Sequence, residues 1–319
     1  MRIVLLASGE FAVPTLRWLA QSEHEVPLVI TQPSRPSGRG RKVTPTPVRA
    51  WADDLGLDTL EVEDINDSEI VRNLRACNAH VGLAIAFGQM LGGDVLSAFA
   101  GGCINLHASL LPKYRGAAPI NWAIVRGEER TGCTVFRIVK ELDAGPILTS
   151  RCTEIKPEET AGELHDRLAG IGVDAVKGAL AMFEHGAVPD GEPQQHDEAT
   201  LARKLEKSDG YVRFDRSRAR VVDHIHGMTP WPGATAKYES KDGRWEKLTL
   251  VRARAAENPA PPEIPPGDID ERCYVAALDG FVEILEVKPS SGRVMPWPDY
   301  VNGRHVAAGD RLVPPKPPK

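Results

Sequence analysis

Asn105 and His107 stand two residues apart in the short apolar run Cys103-Ile104-Asn105-Leu106-His107. On an extended strand successive side chains alternate faces, so the amide and the imidazole share one face and Leu106 takes the other. Asp143 lies later in the chain, in the Gly- and Pro-bounded turn KELDAGP at 140–146. An amide donates hydrogen bonds, an imidazole donates or accepts a proton, and a carboxylate accepts one. Acyl transfer to an amine needs that set: donors for an oxygen that gains charge, and a base for the proton that leaves the attacking nitrogen. Each residue also has a plainer reading, as a half-buried polar pair for the first two and a turn former beside Gly145 and Pro146 for the third.

The elements around these residues alternate. Residues 2–8 (RIVLLAS) and 26–31 (VPLVIT) read as buried strands, joined by an amphipathic helix built on Val13, Leu16, Trp18 and Leu19. Helical patterns over 47–55, 67–76 and 89–99, with strands over 80–87 and 103–107, continue the alternation. The order implies an α/β fold, a Rossmann-like, mostly parallel sheet wound on both faces. Such sheets bind ligands at the carboxyl ends of their strands, where Asn105, His107 and the Phe87-Gly88 turn fall. Strands over 132–139 and 147–155 and a helix over 160–184 complete a first domain of residues 1–189. The stretch 190–210 is rich in Pro, Gly and charge without a sustained period and reads as a linker. A helix over 216–228 and the loop TPWPG at 229–233 open residues 211–319, where short strands follow without helices between them. One hairpin there is marked by Asp279-Gly280, and the whole reads as a small OB-like β-barrel with a disordered PPKPPK tail.

Composition removes several classes of function. The 319 residues carry a net charge of −5, which argues against indiscriminate nucleic-acid binding while leaving local basic patches open. No apolar run reaches the ~18–20 residues of a membrane helix, so no membrane partner is expected. The opening MRIVLLASGEF reads as a first strand rather than a leader, which places the protein in the cytoplasm. Five scattered cysteines without a Cys-x-x-Cys pair suggest neither disulfides nor structural zinc, and the nine histidines form no metalloenzyme motif, so no metal is expected. Ser109 has no base at the spacing of a nucleophile elbow, and Gly38-Arg39-Gly40 lacks the third glycine of a dinucleotide loop.

Charge concentrates in TQPSRPSGRGRKVTPTPVR at 31–49, where Arg35, Arg39, Arg41, Lys42 and Arg49 occur without an acidic residue. The stretch reads as a solvated, mobile loop or as one that orders on a phosphate backbone. Lys204 and Lys207, with Arg203, Arg213, Arg216, Arg218 and Arg220, form a second cluster of mixed sign.

The run INLHASLLPKYRGAAPIN at 104–121, with LDAGPIL after it, resembles the signature of the 10-formyltetrahydrofolate-dependent formyltransferases. The resemblance implies that Asn105, His107 and Asp143 are catalytic. It also implies that Phe87, Gly88, Gln89, Ser109, Leu110, Leu111 and Pro112, together with Asp143, bind the folate. GEFAVPTL, TQPSRPSGRGRK and TPWPGA bring the whole chain close to the branch of that family that acts on tRNA. Its members imply formyl transfer from 10-formyltetrahydrofolate to the free α-amino group of methionine on initiator tRNA, by a monomer without a metal. Arg35, Arg39, Arg41 and Lys42 would then meet the acceptor arm, and Lys204 and Lys207 would track the same strand.

The chain departs from that pattern in four places. Ala7, Ser8 and Gly9 stand where Gly, Thr and Pro are usual, Phe87 stands for Tyr, His226 for Arg and Thr229 for Asn. Two other functions remain open at this point: a formyltransferase acting on an amino-sugar nucleotide, and a non-catalytic RNA-binding protein on the same fold. The basic stretch speaks against the first, and the intact trio against the second.

Overall fold

A computed structural model describes residues 1–37, 40, 42–183, 188–257 and 264–315. The chain divides into two compact units. One comprises Met1–Gly116, Gly132–Thr153 and His165–Leu201, the other Ala117–Thr131, Glu154–Leu164 and Ala202–Lys319. Neither unit is a single stretch of chain.

The first unit is built on a seven-stranded sheet. Its strands are β1 (Arg2–Ala7), β2 (Glu25–Thr31), β3 (Thr59–Glu61), β4 (Val81–Ile85), β5 (Cys103–His107), β6 (Arg130–Arg137) and β7 (Ile147–Glu154), in the order β7-β6-β5-β4-β1-β2-β3. β1 and β4 lie at the centre and are apolar and buried almost throughout, as strands covered on both faces must be. The pairs β1–β2, β1–β4, β2–β3 and β4–β5 are parallel, with Leu5 opposite Leu83 and Ala84 opposite Asn105. Only β5–β6 among these pairings is antiparallel, setting Asn105 opposite Phe136 and His107 opposite Thr134. The chain winds from β1 to β2 on one side and returns to β4 on the other. The carboxyl ends of β1 and β4 therefore flank the topological switch point, where an α/β sheet opens its crevice.

Three elements of the first unit differ from the sequence reading. The helix expected over 89–99 is confined to Gly93–Leu96, because Gly92 and Gly93 disfavour helix at its start. The helix Val13–Gln21 buries Thr15 with Val13, Leu16 and Leu19, while Trp18 stays half-buried with Lys177 Nζ 5.6 Å from its ring centroid. The basic stretch is a hairpin rather than an open loop, Arg35–Ser37 pairing antiparallel with Lys42–Thr44.

In the second unit β8 (Ala234–Glu239), β9 (Trp245–Ala255), β10 (Val275–Ala277), β11 (Gly280–Pro289), β12 (Met295–Pro296) and β13 (Arg311–Val313) form one antiparallel sheet, in the order β10-β11-β9-β8-β13 with β12 on β11. The strip 267–269 nearly closes it. Gly267 N donates to Ala276 O of one edge strand, Ala276 N donates back to Asp268 O, and Leu312 N donates to Gly267 O from the other edge. Gly267 is required there: its φ is +92° and a Cβ would stand 2.4 Å from Leu312 O. The hairpin turn falls on Leu278 and Asp279, since Ala277 pairs with Gly280, so the Asp279-Gly280 type I′ turn does not form. A helix absent from the sequence reading, Trp297–Arg304, places Trp297 against Tyr300 at 5.5 Å in the barrel core.

The helix Arg218–Gly227 starts at Ser217, whose side chain accepts from Arg220 N. Its carboxyl end accounts for two of the four departures. Thr229 turns its hydroxyl back to Ile225 O at 2.8 Å, and buried His226 accepts Ala253 N through Nε2 at 3.2 Å. Among the described residues no helix is long and apolar enough to cross a membrane.

Candidate active site

His107 closes β5 and is 7% exposed, its ring edge-on to Phe136 across the antiparallel pair. Its Nε2 lies 2.8 Å from Tyr114 O. A carbonyl only accepts, so Nε2 carries the hydrogen and Nδ1 is the nitrogen left for chemistry. Nδ1 faces Asp143 Oδ2 at 3.7 Å, too long for a direct hydrogen bond and within ion-pair reach once the ring is protonated.

Asp143 is held in an uncommon conformation. Its φ is +48°, in the left-handed region that non-glycine residues rarely occupy. Oδ2 also accepts Gly116 N at 2.8 Å, and Gln194 Nε2 donates to the Asp143 carbonyl at 2.9 Å. Asn105 is half-buried on the His107 face of β5. No hydrogen bond to another described residue engages its side chain, which leaves the amide N–H₂ free to donate.

The loop after β5 is anchored from beneath. Thr134 is fully buried; its hydroxyl donates to Ser109 O at 2.7 Å and accepts from Leu111 N at 3.2 Å. Ser109 is also fully buried, with Oγ donating to Lys113 O at 2.7 Å. Leu111 is 7% exposed, whereas Leu110 and Pro112 are half-buried and form the accessible apolar rim of the loop. Ser109 and Leu111 thus shape the loop, and the alternate residues present it.

The turn after β4 is fixed in the same manner. Ala86 and Gly88 take φ of +46° and +80°. The Phe87 carbonyl accepts from Gln32 Nε2 at 2.8 Å and from Ser8 Oγ at 3.4 Å, while the Phe87 ring packs into the core at 4% exposure. Ser8 Oγ also accepts from Gln32 N at 3.0 Å. The departure at position 8 therefore keeps a hydroxyl that joins the ends of β1, β2 and β4. Gln89 clasps the neighbouring loop, accepting Ile65 N at 2.8 Å and donating to Val62 O at 3.1 Å.

The cations are distributed more widely. Arg35 has a side chain 67% exposed and stands 3.8 Å from Glu63. Lys42 is exposed, while Arg39 and Arg41 lie outside the described residues. In the second unit Lys204 and Lys207 are exposed, whereas Arg203 forms a two-point pair with Asp209, Arg213 pairs with Asp215 and Arg220 with Asp223. Among the described residues no group of three His, Cys, Asp or Glu side chains is arranged to hold a metal ion.

The first unit's geometry has counterparts in known proteins. Residues 1–180 match the family model described as formyl transferase, and residues 204–305 match the one described as formyl transferase, C-terminal domain. The chain belongs to the formyltransferase family. Among relatives of this formyltransferase, a methionyl-tRNA formyltransferase of Solibacter usitatus is 38% identical over 98% of both chains. One from Methylococcus capsulatus is 39% identical over 98% of this chain and 99% of its own. Of solved structures, WlaRD, a sugar 3N-formyl transferase with dTDP and 5-N-formyl-THF, superposes with a TM-score of 0.63 at 16% identity, over 92% of this chain and 99% of its own. HypX from Aquifex aeolicus with tetrahydrofolic acid gives 0.62 at 19% identity, over 94% of this chain and 47% of its own. At those identities the likeness is one of fold.

Sequence reasoning named His107 and Asp143, which the structure brings to 3.7 Å of each other, and missed the backbone groups that hold them. Tyr114 O and Gly116 N sit inside the motif but have no side-chain signature. Gln194 falls in the stretch 190–210 read as a linker, and no periodicity there marks a residue that reaches Asp143.

Proposed function

We propose that the protein transfers the formyl group of 10-formyltetrahydrofolate to the free α-amino group of methionyl-tRNA, giving the N-formylmethionyl-tRNA used to initiate translation. The observation that carries this reading is the setting of His107: Nε2 fixed on Tyr114 O, Nδ1 turned to Asp143, and the unengaged Asn105 amide two residues back on the same strand face. Near full-length similarity to methionyl-tRNA formyltransferases supports the acceptor.

Asn105 donates to the formyl oxygen as charge grows on it. In such sites one donor is worth ~10²–10³ in rate. With Nε2 occupied, His107 acts through Nδ1, donating to the same oxygen when protonated. Asp143 stabilises the protonated ring and accepts the proton that leaves the amine, which then passes to the departing folate nitrogen. The folate is a substrate here, consumed one for one. Leu110 and Pro112 offer apolar surface to its ring, Ser109 and Leu111 hold that loop in shape, and Phe87, Gly88 and Gln89 form the opposite wall. No resident metal takes part.

Arg35, Arg39, Arg41 and Lys42 meet tRNA phosphates, as do Lys204 and Lys207. The functional division runs 1–189 for chemistry and 211–319 for grip on the tRNA, with 190–210 joining them and lending Gln194 and Thr200 to the first. The enzyme works as a monomer in the cytoplasm.

The test is formyl transfer to charged initiator tRNA, with elongator methionyl-tRNA and an amino-sugar nucleotide as competing acceptors. Preferred formylation of the initiator is expected. Preferred formylation of the sugar nucleotide, or no folate-dependent turnover of any acceptor, would refute the reading.

A further inference from the structure

We propose that Arg115 and Gln194 are positioning residues that set the His107–Asp143 geometry, an inference that rests on the formyl-transfer reading above. Arg115 is 9% exposed and Gln194 6% exposed, an unusual depth for a cation and an amide. The guanidinium donates to Gln194 Oε1 twice, from Nε at 3.1 Å and from Nη2 at 2.6 Å, and Nη2 approaches His196 Nδ1 at 3.3 Å. A guanidinium has no acceptor, so it dictates which end of the amide faces it. Gln194 Nε2 must then point the other way, where it donates to Asp143 O at 2.9 Å and to Gly145 O at 2.7 Å.

One side chain thus holds two carbonyls of the turn that carries Asp143 at positive φ. The segment 114–116 is held from the same strip of chain. Tyr114, also at positive φ (+62°), donates its N–H to Thr200 Oγ1 at 2.9 Å, and Arg115 N donates to Thr200 O at 2.8 Å. That segment supplies Tyr114 O to His107 Nε2 and Gly116 N to Asp143 Oδ2. The two neighbours of the imidazole therefore sit on separate, conformationally uncommon segments, and the Arg115–Gln194 bridge joins them alongside the Gly116 N–Asp143 Oδ2 bond. Loss of the bridge frees Asp143 to relax from positive φ, and misplacement by about 1 Å in a reacting group can cost ~10²-fold in rate.

The experiment compares Gln194→Ala on the natural background and on a His107→Ala background, using initiator methionyl-tRNA and 10-formyltetrahydrofolate. The expected result is a fall in kcat of about 10²-fold on the natural background, KM for both substrates within about twofold, and little added loss when His107 is already gone. A loss of equal size on both backgrounds, or one confined to KM, overturns the proposal. Gln194→Glu has nearly the same size and keeps the Arg115 contact but cannot donate to the two carbonyls. It should lose kcat like Gln194→Ala, and natural turnover in a folded Gln194→Glu also overturns it. Unmutated protein assayed alongside separates the two readings: if it fails to formylate methionyl-tRNA, the proposed function falls, and if it turns over while Gln194→Ala matches it, only the bridge does.

Discussion

His107 donates its Nε2 hydrogen to the carbonyl of Tyr114 at 2.8 Å, and this one bond decides which half of the imidazole can react. It commits the ring to a single orientation and presents Nδ1 to Asp143 at 3.7 Å. On the proposed mechanism the gap between Nδ1 and Oδ2 closes when the amine arrives, since catalytic hydrogen bonds often tighten only when substrate is bound.

Asp143→Asn separates charge from shape at that gap. The amide oxygen can still accept Gly116 N, so the turn is retained while the base is lost. The expected result is a fall in kcat of ~10²–10⁴-fold with melting temperature little changed. Asn105→Ala should cost ~10²–10³-fold. Single-turnover kinetics with saturating folate measure both, and near-natural rates in both variants would dismiss the trio as the reacting set.

Thr134→Val tests the anchor of the loop after β5 and its proposed part in folate binding. The swap keeps volume but leaves buried Leu111 N and Ser109 O without their partner. An orphaned buried group costs about 1–3 kcal/mol, so denaturant unfolding should show a loss of roughly 2–4 kcal/mol with KM for folate raised more than KM for tRNA. An unchanged KM for folate would mean that the loop keeps its shape without Thr134.

These anchors mark the limit of what the residues disclose by themselves. The alternation of apolar runs was enough for the α/β sheet, because buried central strands such as RIVLLA and VGLAI have few other readings. Asn105 and His107 were legible because strand alternation puts them on one face. Tyr114 O, Gly116 N and the Thr200 contacts were not, because every residue has a carbonyl and an amide and only the fold selects which are used. The helix Trp297–Arg304 was missed for a related reason: it begins Trp-Pro and contains Gly303, a poor helix pattern that packing of Trp297 and Tyr300 overrides.

Joint Arg35→Ala and Lys42→Ala tests the hairpin as a phosphate-binding element. Both cations are exposed, and neither supports the trio, so folate kinetics should be unaffected. If each meets one phosphate, the slope of log K against log salt for tRNA should flatten by about 0.7–0.9 for every phosphate no longer neutralised. An unchanged slope would place the tRNA surface elsewhere.

The second unit should lose stability in mild acid through His226. Burial holds its imidazole down at about 4, with the Arg252 guanidinium as the next cause, while the Glu163 carboxylate acts in the opposite direction. The folded state therefore binds fewer protons than the unfolded chain, where an imidazole titrates near 6.5. Stability from this group is complete above that value and drains away as pH falls from about 6.5 to about 4, by an amount on the order of 3 kcal/mol. His224, also held down at about 4 chiefly by burial, pulls in the same direction. Glu163, held down at about 2 by the Arg252 hydrogen bond, adds its own loss below about 4.5. Asp223 opposes them over part of the range: burial raises its carboxyl to about 6, so protonating it favours the folded state as pH falls toward 4. His226→Gln keeps an acceptor for Ala253 N without a titrating ring. Urea unfolding at pH 7 and pH 5 should show a smaller difference for this variant than for the natural chain. An equal difference would move the acid sensitivity to other groups.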